Sequence, residues 1–436
     1  MKHFHPFRSQ FLQLRSFSKP ARLFLVATIL DGIVFSVWWL FFNFYILERG
    51  FSREFLGMVN AAPSLAALLL GLPLGLFSDR IGQKKAMILG VGVYILAIGV
   101  EVTAAAPALI LIAAFIGGGA NTLYFLSQAP FMMKASRPDN RTLLFSLNFG
   151  LVTLSGAVGN LFAGQLPALF GNLLNIPADS AGAYQAVLLS AVALSSLTLI
   201  PLAMIREAQT SSQVESVVPN TSTHITQLSQ PPSNSLIRTL TNITTWKLSF
   251  PNLLLGFGAA ILIPYMNVFF REQFSISDQA LGVLFSLSSL MVGIGSIIGP
   301  RLADAWSSRI RAVVITQGLS LLFLLMIGFS PYLWLAAIGY LIRGTLMNMA
   351  VPLFNAFAME QVSEREQATV NSVKETAWQF GWAIGPYISG VVQEYYGFTP
   401  LFVVTAILYA ISTLATWIFF HKSDFIPTMS EIPSRS

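Results

Sequence analysis

Gly75-Leu76-Phe77-Ser78-Asp79-Arg80-Ile81-Gly82-Gln83-Lys84-Lys85 is a short polar island between two long apolar runs. Each flanking run, near 54–77 and 86–105, has about the 20 residues a helix needs to cross a hydrocarbon core. Gly75 and Gly82 permit close helix approach and a tight turn. Asp79 can pair with Arg80 or face the N-terminus of another helix, where the dipole and free N–H groups favour an anion. Loop and flanks together read as two antiparallel membrane spans joined by a basic hairpin.

Outward from this hairpin the pattern repeats. Apolar runs lie near 22–47, 54–77, 86–105, 107–133, 142–170 and 182–205, and again near 249–270, 279–303, 311–329, 331–359, 367–394 and 398–420. The expected fold class is therefore all-α integral membrane, with twelve transmembrane helices in two six-helix bundles. Composition agrees: 54% of the 436 residues are hydrophobic and only 10% charged. A soluble domain carries about a quarter charged residues, so water cannot be the solvent for this surface. The net charge of +6 is spread over short clusters between runs, which speaks for membrane topology and against nucleic acid. With both ends on one side, that side holds twenty Lys and Arg while the other holds Arg49, Arg53 and Arg271. This asymmetry predicts cytoplasmic termini in a multi-pass cell-membrane protein. The basic N-terminus precedes a run with no small-residue cleavage site, so it reads as a retained first helix.

Residues 206–247 are rich in Ser, Thr, Gln, Asn and Pro and read as a flexible cytoplasmic linker. They divide a first bundle, 1–205, from a second, 248–436. The halves match in register. Phe51-Ser52-Arg53-Glu54-Phe55-Leu56-Gly57 aligns with Ile276-Ser277-Asp278-Gln279-Ala280-Leu281-Gly282, 225 residues on, as does Asp79 with Asp304. Gly159, Gly164 and Gly171 precede Gly385, Gly390 and Gly397 by 226. Parallel repeats of this kind suit alternating access, in which two bundles rock about a midplane site.

The Gly75–Lys85 stretch closely resembles the Gly-x-Leu-Ala-Asp-Arg-x-Gly-Arg-Lys motif of the major facilitator superfamily, with Gln83 where a basic residue is usual. A degenerate copy, Gly299-Pro300-Arg301-Leu302-Ala303-Asp304, stands at the equivalent place in the second half. The resemblance covers the whole chain. It implies that the first, fourth, seventh and tenth helices line a central cavity, and that Gly75, Asp79, Arg80, Gly82, Lys84, Lys85 and Asp304 form a conformational latch rather than a substrate site. Arg343-Gly344 is similar to the arginine motif that antiporters of the family carry in the fourth helix, although Gly117 stands at the equivalent position here. Gly150 and Gly159 fit the antiporters' fifth-helix glycine motif, while Ala163 and Gly164 depart from it. The drug/proton antiporter-like branch is thus the nearest resemblance.

Charged residues at bilayer depth are expensive and are functional suspects by default. At 1.5 Å per residue, Asp31 and Arg343 fall at about the same midplane level. The expectation is that both face the cavity, within reach of each other, and couple substrate or proton movement to conformation. Phe35, Trp38, Asn121, Tyr124, Gln128, Asn267, Asn348 and Asn355 are the expected cavity lining. An acid beside the aromatic stripe of Asp31, Phe35, Trp38, Phe42 and Tyr45 would suit an amphipathic or cationic solute. Lys374 is expected to snorkel and Glu101 to be interfacial.

The function expected is secondary active transport of a small-molecule substrate, as proton-coupled efflux of an amphipathic compound by a monomer in the lipid bilayer. Uptake of a nutrient or metabolite is the alternative, and a lipid flippase or a non-transporting receptor represents a different class. No Ser/His/Asp, metal-binding or nucleotide-binding constellation occurs in any loop, so no enzyme activity and no cofactor are expected. The absence of a Gly-x4-Gly-Lys-Ser/Thr loop excludes ATP-driven pumping by this chain.

Overall fold

A computed structural model describes residues 17–138, 140–205, 239–306, 308–363 and 366–422, apart from the side chains of Pro300 and Asp304. Twelve long helical segments follow one another: α1 Lys19–Glu48, α2 Arg53–Ile81, α3 Gln83–Thr103, α4 Pro107–Ala135, α5 Arg141–Leu174, α6 Ala181–Met204, α7 Ile243–Phe274, α8 Asp278–Ala305, α9 Arg309–Phe329, α10 Leu333–Glu360, α11 Gln367–Tyr396 and α12 Thr399–Phe420. Eleven are long and apolar enough to cross a membrane. The exception is α11, whose 30 residues include Lys374, Glu375 and Glu394 with several amides. The helix of α7 begins at Ile243.

Local chemistry sets the helix ends. Ser52 accepts a hydrogen bond from Phe55 N at 3.1 Å, and its repeat partner Ser277 accepts from Ala280 N at 3.3 Å. The duplicated serines are thus N-caps of α2 and α8, holding an amide that the helix cannot pair. The turns before them also correspond: Gly50 and Ser275, 225 apart in sequence, both have positive φ. Gly82 (φ 89°) turns α2 into α3, in a backbone region where a Cβ is strained.

Helices α1, α5 and α6 pack together, as do α2, α3 and α4; in the second half α7, α11 and α12 cluster, with α8 and α9 against α10. The halves meet along α2–α11 and α5–α8. The core is not evenly distributed between them. At the end away from the basic hairpins, one continuous cluster joins Phe41, Phe44 and Tyr184 of the first half to Phe269, Phe270 and Phe402 of the second. At the basic end it splits in two. One cluster, around Phe24, Met87 and Phe131, belongs to the first half; the other, around Leu248, Phe357 and Phe420, belongs to the second.

Candidate functional site

The closed end is held by small residues and polar pairs. A Cβ at Gly57 would meet Pro386 O at 2.6 Å, and one at Gly282 would meet Asn160 O at the same distance, so α2–α11 and α5–α8 touch backbone to backbone. Around these crossings Arg53 forms a two-pronged pair with Glu272, with bonds of 2.6 and 3.0 Å, while its backbone N–H donates to Glu394 at 2.8 Å. Arg271 pairs with Asp278, and its guanidinium lies 4.6 Å from the ring centroid of Phe44 in the other half. Asn43 donates to Pro264 O at 2.6 Å and to Asn267 Oδ1 at 3.0 Å, and Asn267 donates to Leu40 O at 2.9 Å.

Behind this closure lie two cavities between the halves. The first, about 190 Å³, is walled by Phe35, Trp38, Trp39, Phe42 and Asn43 of α1, Asn60, Pro63 and Ser64 of α2, Tyr94 and Glu101 of α3, Gly117, Gly118 and Asn121 of α4, Pro264 of α7 and Trp382 of α11. The second, about 260 Å³, shares Phe35 and Trp39 with it and continues between α5 and α8, past Ser36, Asn160, Ser288 and Ser289, to Tyr340. The i, i+3, i+4, i+7 spacing of Phe35, Trp38, Trp39 and Phe42 puts all four on one side of α1. Trp38 stacks on Phe42 at 4.6 Å and Phe35 on Trp39 at 5.6 Å. Further toward the basic end, a space of about 720 Å³ is lined by Phe149 and Thr153 of α5 and by Leu290, Gly293 and Ile297 of α8.

Of the residues expected to line a cavity, Phe35, Trp38 and Asn121 are among the walls of the first one. Tyr124 and Gln128, on the same α4 face as Asn121, lie buried within the first half. Asn267 is buried in the closure. Asn348 bonds Gly344 O of its own helix at 2.9 Å, and Asn355 accepts a hydrogen bond from Lys374. Both lie outside the two cavity linings.

Asp31 and Arg343 form no ion pair, against the expectation of mutual reach. Arg343 donates to Tyr409 Oη of α12 at 2.9 Å inside its own half. Asp31 lies within electrostatic reach of Tyr94 and Tyr124 inside the other. Depth along a helix fixes the level of a side chain but not its direction. Lys374 does not snorkel: its side chain is 1% exposed, 3.6 Å from Glu375. Glu101, near the end of α3, is turned into the protein. It is 5% exposed and lines the cavity, because Tyr45 Oη and Gln185 Nε2 both bond Val102 O and draw α1 and α6 over the end of α3.

Two participants escaped the sequence reading. Asn43 was readable, being 224 residues before Asn267 in the repeat register. The position of Glu101 was hidden by its place near a helix end.

Residues 24–251 and 248–428 each match the Major Facilitator Superfamily. The chain belongs to this superfamily. Relatives similar to it are the multidrug resistance protein MdtG of Salmonella dublin, 27% identical over 201 residues (45% of this chain, 48% of that one), and the MdtG of Proteus mirabilis (strain HI4320), 27% identical over 178 residues (40% and 44%). The chain thus spans about half the length of the curated relatives it matches. Among solved structures, the nucleoside transporter NupG is similar with a TM-score of 0.70 at 16% identity, covering 93% of this chain and 99% of that one. A bacterial homolog to human lysosomal transporter Spinster, inward-facing and unoccupied, gives a TM-score of 0.69 at 17% identity, covering 95% of each chain.

The superfamily hairpin is in place at the basic end. Asp79, Arg80 and Lys85 are exposed and Gly75, Gly82 and Lys84 half-buried; the side chain of Asp304 lies outside those described. Asp79 makes no ion pair among the described residues. The superfamily departure at Gln83 has a local reason. Its Oε1 accepts a hydrogen bond from Lys134 Nζ at 2.6 Å, where a basic side chain would face a like charge.

Proposed function

We propose that this chain is a secondary transporter that moves a small organic solute across the cell membrane by alternating access, as proton-coupled efflux of an amphipathic compound. The carrying observation is the divided core. One apolar cluster bridges the halves at one end, two separate clusters stand at the other, and an aromatic cavity lies between. That is a bundle pair closed on one side and parted on the other. In this reading the two six-helix halves, 1–205 and 248–436, joined by 206–247, are the rocking units, and the protein works as a monomer. The basic end, termini included, is cytoplasmic under the positive-inside rule, so the solute enters from the cytoplasm. Asp79 is a latch, free here and engaged when the basic end closes.

Similarity to the multidrug resistance protein MdtG supports efflux of drug-like compounds. Asp31 is the proton-coupling group: a carboxyl at bilayer depth with no counter-ion among the described residues. The test is uptake of a fluorescent amphipath into proteoliposomes driven by an imposed pH gradient. Asp31→Asn should abolish gradient-driven flux while leaving the melting curve intact. Normal coupling in that variant would remove Asp31 from the mechanism. The likeness to NupG favours nutrient uptake as the second reading, and the direction of accumulation in whole cells separates the two.

A further inference from the structure

Among the described residues, Glu101 is the only charged one lining the 190 Å³ cavity. The residue is 5% exposed, and its carboxylate takes no hydrogen bond or ion pair among the described residues. The buried cations of the other half do not serve it, since Arg343 is turned to Tyr409 and Lys374 to Asn355 and Glu375. Space for the carboxylate is built into α4. A Cβ at Gly117 would stand 3.5 Å from Glu101 Oε1 and 3.2 Å from Ala97 Cβ, so a side chain there would crowd it. Across the cavity stand Trp38, Phe42 and Trp382, and the Trp382 indole N–H is itself without a partner. A buried carboxylate without a counter-charge, facing aromatic walls, is complementary to one ligand chemistry. A cation supplies the missing charge, and indole faces attract the same cation through their quadrupoles.

We propose that Glu101 is the substrate-recognising carboxylate of the cavity, and that the ligand is an organic monocation with an apolar body. The cationic centre sits against Glu101, and the body lies on Trp38, Phe42 and Trp382. Asn121, one turn beyond Gly117 on α4, offers the polar edge. A single carboxylate sets a charge of +1, and the aromatic walls exclude small hydrated cations, which would have to shed water without replacement. The proposal rests on the transport reading only for the purpose of the cavity; recognition itself is a binding property.

The test uses the full chain in lipid nanodiscs, with tetraphenylphosphonium as probe and the like-shaped anion tetraphenylborate as control, both followed by quenching of tryptophan fluorescence. Tetraphenylphosphonium should bind saturably and tetraphenylborate should not. Glu101→Gln should weaken tetraphenylphosphonium binding by about tenfold or more, the loss expected when one partner of a buried charge pair is removed. Gly117→Val, which keeps the carboxylate but fills the space beside it, should weaken it too. Equal binding of both ions by the native chain overturns the proposal. So does unchanged affinity in Glu101→Gln when the melting curve shows that it folds. If binding depends on Glu101 but proteoliposomes show no gradient-driven flux of the probe, the cation site stands and export falls. If flux is the same in Glu101→Gln, export stands and the site falls.

Discussion

A Cβ at Gly118 would fall onto the backbone of Pro63, whereas one at Gly75 would find its nearest neighbour, a Leu126 methyl, at 3.9 Å. The two glycines therefore respond differently to the same change. Gly118→Ala should lower stability by about 1–3 kcal/mol, because two backbones must part. Gly75→Ala should stay within about 0.5 kcal/mol. Melting curves of the two purified variants check this. A second pair tests the hairpin. Gln83→Arg should lower the melting temperature by setting a guanidinium against Lys134, and adding Lys134→Glu should restore it. At this scale the sequence is informative about residue type and depth but silent about rotation. Asp31 and Arg343 fall at a similar depth along their helices, yet each turns into its own half. Asn121 and Tyr124 differ by 300° of helical rotation, near enough to share a face on paper, but only Asn121 reaches the cavity. A neighbouring helix decides such cases, and its position is not written locally.

Helix α7 is the hub of the closed end. Its consecutive residues Arg271 and Glu272 are held from two sides, by Asp278 at the start of α8 and by Arg53 at the start of α2. The repeat placed opposite charges at the two equivalent helix starts, and α7 carries the complement of each. The Arg53–Glu272 pair is partly exposed, so its strength is on the order of 1 kcal/mol or less. A reversible gate needs a weak bond of this kind. Arg53→Glu, which confronts both Glu272 and Glu394, should part the closed end. The chain has no native cysteine, so a single Ser64→Cys reports from the cavity wall. Its labelling by a membrane-impermeant maleimide added to the face opposite the basic hairpins should rise in Arg53→Glu and fall again when Glu272→Arg is added. Element identities and order were legible because hydropathy and basic loops encode them independently. Partnership across the halves was legible only where the repeat marked it, as for Ser52 with Ser277. The Arg53–Glu272 pair of the α7 hub joins two residues that are not counterparts in the repeat.

For the whole molecule, the decisive quantity is where apolar contact continues between the halves and where it stops. Moving between states requires the bridging cluster around Phe41 and Phe269 to open while the two clusters at the basic end come together. Tethering the basic ends should therefore block a cycle that the closed end alone cannot complete. A bifunctional thiol reagent of short span, applied to Phe149→Cys with Ile297→Cys across the α5–α8 space, should bring pH-driven flux close to zero, and a long-span reagent should restore most of it. The polarity of α11 carries a different consequence, one for biosynthesis. Lys374 opposes entry into lipid, by at most the roughly 2.5–3.5 kcal/mol that insertion scales give a lysine at a helix centre, and Glu375 adds to that cost. As it leaves the ribosome, α11 is thus a poor candidate for integration by itself. Lys374 finds Asn355 on α10, and the small residues of α11 find α2 and α7, only once those helices are present. Residues 367–396 presented as the sole candidate span should stay outside the bilayer in a glycosylation-mapping assay, and restoring the helices up to α10 ahead of them should draw them in. The helix that closes the transporter is one the membrane accepts only in company.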